Sequence, residues 1–332
     1  MKKIIKLIPV LFLLVSCEKK ELPIPRYVKV EVVDTTSHTV GELQTTQVDM
    51  GETYKTQIWF SLGENRVVAS NLKTDWDITF EGSANGVHIM LNGSKAMKAL
   101  KTNHSNLQQV TDTAGLGANG KADMPSGNPD STAIGDWQGD NKVYMINRGY
   151  NEKGFLIGYY KLRITGVTST QYTFEYGDIF SQEVFQGTVS KNGDHNFIGY
   201  SFTTHQQVAQ VEPKKNDYDI CFTGYTHLFY EPALQYYQVT GVLTNSYKTR
   251  VARFTDKAFE NIVLKDTLGR DFTSRRDRVG YNWKDFDGQN YKVNPKICYI
   301  IQDSKGYYYK LHFIDFYNLG IKGAPKFEFK RL

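Results

Sequence analysis

Residues 73–83 read KTDWDITFEGS, and residues 215–225 read KNDYDICFTGY. A chain that writes nearly the same eleven letters twice must bury the same pattern twice. Period-two alternation puts Trp76, Ile78 and Phe80 on one face of a strand, with Asp75, Asp77 and Thr79 on the other. Tyr218, Ile220 and Phe222 repeat that inward triplet. The alternation predicts an apolar core face and a solvent face carrying the acids. The paired carboxylates therefore read as surface groups, not as an acid–base pair.

The similarity extends through the chain in a constant order. IWFSLGENRVVAS (58–70) matches IGYSFTTHQQVAQ (198–210), and VHIMLNG (87–93) matches VTGVLTN (239–245). IGDW at 134–137 parallels VGYNW at 279–283, and KVYMI (142–146) parallels ICYII (297–301). Hairpin signals follow in each half, NEKG at 151–154 and DSKG at 303–306. GYYKLRI (158–164) then matches YYYKLHF (307–313), and YTFEY (172–176) and KFEFKRL (326–332) supply closing alternation. A block order repeated once, at long period, reads as tandem duplication rather than as a solenoid.

Aromatics make up 14 % of the chain, which favours strands. Helical spacing is confined to Lys257–Leu264 and to Asn103–Val110, with Asn103 as an N-cap. The expected fold is all-β: two similar antiparallel β-sheet domains in tandem, each with at most one short helix. The expected divisions are a signal peptide at 1–16, a tether and lead-in strand at 17–45, and β-domains at 46–190 and 191–332.

The amino terminus carries Lys2, Lys3 and Lys6 before the apolar run Leu7–Val15. That run is too short to span a bilayer and has the length of a secretory core. It ends in Leu14-Val15-Ser16-Cys17, which resembles the bacterial lipobox and makes Cys17 the expected lipidation site. Several acyl chains on one cysteine anchor stably where one alone does not. Loss of residues 1–16 removes three lysines and lowers the formal charge of +5 to +2. That balance gives no nucleic-acid footprint. Cys221 and Cys298 lie in strand-like runs, where buried thiols are the commoner outcome and a disulfide the alternative.

The WF-S…VV…DWDI-F run, the VTGVL-N strand, the G-W turn and the GYYKL strand resemble the HmuY-like family, haem-capturing lipoproteins of Gram-negative bacteria. The resemblance covers most of the chain, once per half. It implies an all-β, non-enzymatic haemophore at the outer membrane, with haem held by two axial side chains and passed to a membrane transporter. No ligand position carries over from it.

Haem iron takes His or Met as axial ligands. All six methionines precede residue 147, so the first half is the richer source. The candidates are His88 and Met90, two apart on one strand, and His104 and Met124 in the long polar stretch 101–142. Their expected counterparts for His88 and Met90 are Thr240 and Val242. In the second half Arg275, Arg276 and Arg278, with Tyr281 and Trp283, form a candidate surface for an anionic ligand or a partner. No metal-binding, nucleophile-elbow or phosphate-loop motif is present. A surface lipoprotein of this fold that binds a protein, glycan or transporter without haem is the alternative reading.

Overall fold

The computed structural model describes residues 41–208 and 211–332. The signal peptide and Cys17 lie outside the described residues. Among the described residues there are four antiparallel sheets of four or five strands and one two-stranded sheet, and the longest helical segments, Leu116–Asn119 and Leu264–Thr267, have four residues each. The fold is all-β, as expected. The two stretches expected to be helical form 3-10 turns instead, at Leu107–Gln109 and Phe259–Asn261. Asn106, not Asn103, caps the first of them.

Alternation builds two large cores. In one, Ile78 and Phe80 pack with Tyr172, Phe174 and Tyr200. Phe80 stacks on Phe174 at 5.0 Å. In the other, Ile220 and Phe222 pack with Phe60, Phe313 and Phe327. Each fully buried side chain of this size contributes about 1.5–3 kcal/mol. Trp76 and Tyr218, the first members of the two triplets, are buried but belong to neither core.

The hydrogen-bond ladders cross the division expected at residue 190. Strand Ile78–Glu81 pairs with Phe197–Ser201, and strand Ile220–Phe229 pairs with Thr56–Ser61. The opening hairpin of each half thus completes a sheet begun by the other half. Outside these mixed sheets lie two five-stranded sheets. One runs from Lys98–Lys101 to Phe185–Ser190, and the other joins Leu43–Gln47 to Ile321–Arg331 and Arg250–Phe254.

Matching wiring holds the matching blocks. Asp77 N–H donates to Tyr200 O at 2.8 Å, and Asp219 N–H donates to Phe60 O at 2.9 Å. The Asn92 side chain donates to Trp76 O, and that of Asn245 to Tyr218 O. The lysine of each YYKL block is buried with its ammonium on three backbone carbonyls, at least one of them in or next to a 3-10 turn. Lys161 reaches Val110, Ile179 and Ser181, and Lys310 reaches Phe259, Glu260 and Ile262. Both hairpin signals form turns, with Gly154 N on Asn151 O and Gly306 N on Asp303 O.

The solvent face expected for the acids is only partly present. Asp75 and Asp217 are exposed, but Asp77, Thr79 and Asp219 are buried. Thr79 is covered because it faces the other mixed sheet, whereas Asp77 is covered by Lys95, Arg148 and the amide of Phe202, and Asp219 by the amide of Leu62. Cys221 and Cys298 are free buried thiols in separate clusters.

Candidate functional site

The two mixed sheets approach face to face without closing. Between them runs a cleft of about 730 Å³, its open mouth included. One wall carries Thr79 and Met90, and the other Cys221, Thr223 and Leu243. These walls correspond. Ile78 pairs with Leu91 as Ile220 pairs with Thr244, so Met90 occupies the place of Leu243. Its expected counterpart, Val242, is instead a core residue with no exposure. The one-residue offset reverses which face each side chain takes.

Two indoles close the back of the cleft. Trp76 Nε1 donates to Gln57 Oε1 at 2.8 Å, and Trp59 Nε1 donates to Asn71 Oδ1 at 3.0 Å. Gln57 Nε2 donates to Thr223 Oγ1 at 2.8 Å within one wall, so the Trp76–Gln57 bond is the one that ties the two walls together. Glu212 also lines the cleft and accepts from Tyr218 OH and Asn196 Nδ2, both at 2.6 Å. Burial pushes its carboxyl above the usual range.

Met124 enters the cleft on a loop that is pinned at both ends. Asp123 Oδ2 accepts from Leu91 N at 2.7 Å, and Oδ1 accepts from Ala133 N at 2.7 Å. Burial raises the Asp123 carboxyl to about 7, against the pull of those two amides. Arg276 N–H donates to Ser126 O at 2.9 Å, and the Arg276 side chain lies over Gly127. A Cβ on Gly127 would stand 2.3 Å from Arg276 Cδ, and the residue has φ +72°, so glycine is required there.

Arg276, Gly127 and Phe197 also line a second, polar groove of about 1360 Å³, open solvent included. His195, Lys215 and Arg275 give it basic character, with Glu81 as an acidic member. The apolar cleft and the basic groove are thus contiguous through three shared residues.

The structure brings together Met90, Met124 and Arg276, with Arg275 beside them. His88 lines neither cavity; the ladder continues to it through Glu81 N on His88 O at 2.9 Å, but its ring is taken by acids, with Nδ1 2.6 Å from Glu81 Oε2 and Nε2 3.5 Å from Asp130 Oδ1. His104 is exposed in an irregular segment and lines neither cavity. Trp283 does not belong to a binding surface: it is 1 % exposed and stacks on Phe313 at 3.8 Å. Tyr281 is half-buried against His227 at 5.0 Å, and Arg278 is half-buried nearby in the chain. Sequence reasoning missed Gln57, Asn71, Asp123 and Glu212. Only the IGDW/VGYNW parallel, in which Trp137 is likewise buried, marks Trp283 as core.

A family model described as HmuY protein matches residues 53–329. Among solved structures, PinO of Porphyromonas gingivitis in its apo form is similar, with 13 % identity and TM-score 0.29 over 88 % of this chain and 97 % of that one. A protein of Bacteroides vulgatus described as HmuY-like and haem-binding has 10 % identity and TM-score 0.23, covering 88 % and 97 %. The apo HmuY analogue of Tannerella forsythia has 10 % identity and TM-score 0.25, covering 89 % and 98 %. No curated protein matches.

Proposed function

The chain belongs to the HmuY protein family, and on that premise we propose that it captures haem or a related porphyrin at the cell envelope. The observation that carries this reading is the placement of two thioethers, Met90 and Met124, in one cleft with indole and aliphatic walls that opens into a basic groove. The donor set suits haem. Thioethers are soft axial ligands, apolar walls suit a porphyrin face, and guanidinium and ammonium groups suit propionates. Met90 and Met124 would hold the iron, and Arg275, Arg276 and Lys215 the propionates. The bound group would supply only its iron and its flat apolar surface. The protein's part is to orient the group and exclude water from it.

Among the described residues no helix is long and apolar enough to cross a membrane. The proposal therefore includes an acyl anchor on Cys17 at the outer membrane and hand-over to an outer-membrane transporter. Incorporation of a labelled fatty acid that survives Cys17→Ala would remove the anchor from this reading.

Titration with haemin, read as a Soret shift, tests the cleft. Met90→Ala and Met124→Ala are each expected to weaken binding about tenfold or more, as loss of a ligand worth 1.4 kcal/mol would. His104→Ala is expected to leave it unchanged. Thioether ligation predicts tighter binding after reduction with dithionite. No Soret change in either redox state would end the haem reading and leave the fold with a different ligand.

A further inference from the structure

We infer a second ligand site, for a small oxyanion, between Arg253 and Arg278. It lies outside the cleft and groove described above, and neither arginine lines them.

Arg253 sits in strand Arg250–Phe254, directly opposite Tyr299 on the adjacent strand. Alternation places it on the face of Val251, which belongs to the larger second-half core. The other face of that strand carries Ala252 and Phe254, which build a separate cluster. Arg253 therefore points inward. Arg278 closes the turn Arg276–Arg278, and its neighbour Val279 accepts the Tyr299 hydroxyl at 3.0 Å. Both guanidiniums act electrostatically on that same phenol.

The Nε atom of each arginine is sealed from solvent and has no hydrogen-bond partner among the described residues. Neither guanidinium has an acidic side chain at ion-pair distance among those residues. The one acid in the turn, Asp277, is committed to Arg275, at 3.1 Å from Nε and 2.9 Å from Nη2. Both arginines as whole residues keep partial exposure, which leaves an approach. Two cations around one tyrosine, each with an unused and desolvated Nε donor, are an arrangement that folded chains pair rather than leave bare. A guanidinium fork matches the two oxygens of a carboxylate or phosphate. The geometry thus assigns the pair to an oxyanion held beside the buried Tyr299.

The test is a titration of the purified ¹⁵N-labelled protein with inorganic phosphate and, separately, with acetate. Chloride at equal ionic strength is the control. The expected result is a saturable shift of the Arg253 and Arg278 Nε–H resonances with one or both oxyanions and none with chloride. A response to phosphate alone would assign a phosphoryl ligand, and a response to acetate alone a carboxylate. Arg278→Gln should weaken binding about tenfold or more, since charge-assisted bonds are the strong class, while the haemin titration is unmoved. Arg253→Lys, which keeps the charge but removes Nε, serves if the first variant fails to fold. Unmoved resonances with both anions, or equal binding by a folded variant, would overturn the assignment.

Discussion

Asp77 and Asp219 occupy matching places and live in opposite electrostatic worlds. Each carboxylate accepts a backbone amide of the hairpin contributed by the other half, from Phe202 N at 2.7 Å and from Leu62 N at 2.6 Å. Around Asp77 stand Lys95 and Arg148, with Lys95 Nζ at 2.5 Å and Arg148 Nε and Nη2 at 3.1 Å. Burial pushes the Asp77 carboxyl up, but the two cations outweigh it and hold the group below the usual range. Among the described residues no cation pairs with Asp219, and Asp303 stands within electrostatic reach with Lys305 acting more weakly against it. Burial first, and Asp303 second, raise Asp219 to about 7. One backbone geometry thus tolerates either a buried ion cluster or a carboxyl ready to take up a proton. What the two sites share is the amide bond between halves; the charge around it is free to differ.

The largest test of this contrast is truncation. Asp77→Ala strands two buried cations and should cost about 3–5 kcal/mol in urea unfolding. Asp219→Asn should cost about 1 kcal/mol or less, because the neutral amide keeps an acceptor for Leu62 N. Equal losses would dissolve the distinction.

Acidity sharpens it next. The folded state raises the Asp219 pKa, so stability from this group is fullest below the unfolded value near 4. It falls as pH rises toward about 7, with a limiting slope of about 1.4 kcal/mol per pH unit. Asp123 acts in the same direction. Asp77 acts oppositely: its contribution is present above the ordinary carboxylate pKa and is lost as pH falls through its depressed value. Urea midpoints measured from pH 4 to 8 should rise relative to the parent at the alkaline end in Asp219→Asn. An unchanged profile would refute the assignment of a raised carboxyl.

The smallest effect concerns the lysines, where the halves should agree. Lys161→Met and Lys310→Met each remove an ammonium from three carbonyls while keeping an apolar stem. Each should cost about 1–3 kcal/mol, and by similar amounts. A large inequality would show that the two YYKL blocks are not equivalent supports.

The strands were legible because alternation and turn residues are local signals. The strands that begin at Ile78 and Ile220 and the NEKG and DSKG turns all follow from spacing within a few residues. The exchange of hairpins was not legible, because which strand completes a sheet is decided by partners far along the chain. For the same reason Asp77 reads as a surface acid until Lys95 and Arg148 are seen folded against it. The candidate site divides similarly. Met90 could be placed by strand periodicity and Met124 by its oddness in a polar loop. Gln57 and Glu212 carry no such mark, since their roles arise only where the two sheets meet.

The crossed ladders also bear on how the molecule comes into being. Strand Thr56–Ser61 is made early, yet its inner partner Ile220–Phe222 is made much later. Until then the early hairpin has one open edge and no core to sit on. Burial of Phe60 must therefore await synthesis of the late strands, which is the situation of a high-contact-order, slowly closing chain. A nascent chain stalled before residue 220 should be digested by protease at the early hairpin, and one released after residue 332 should resist.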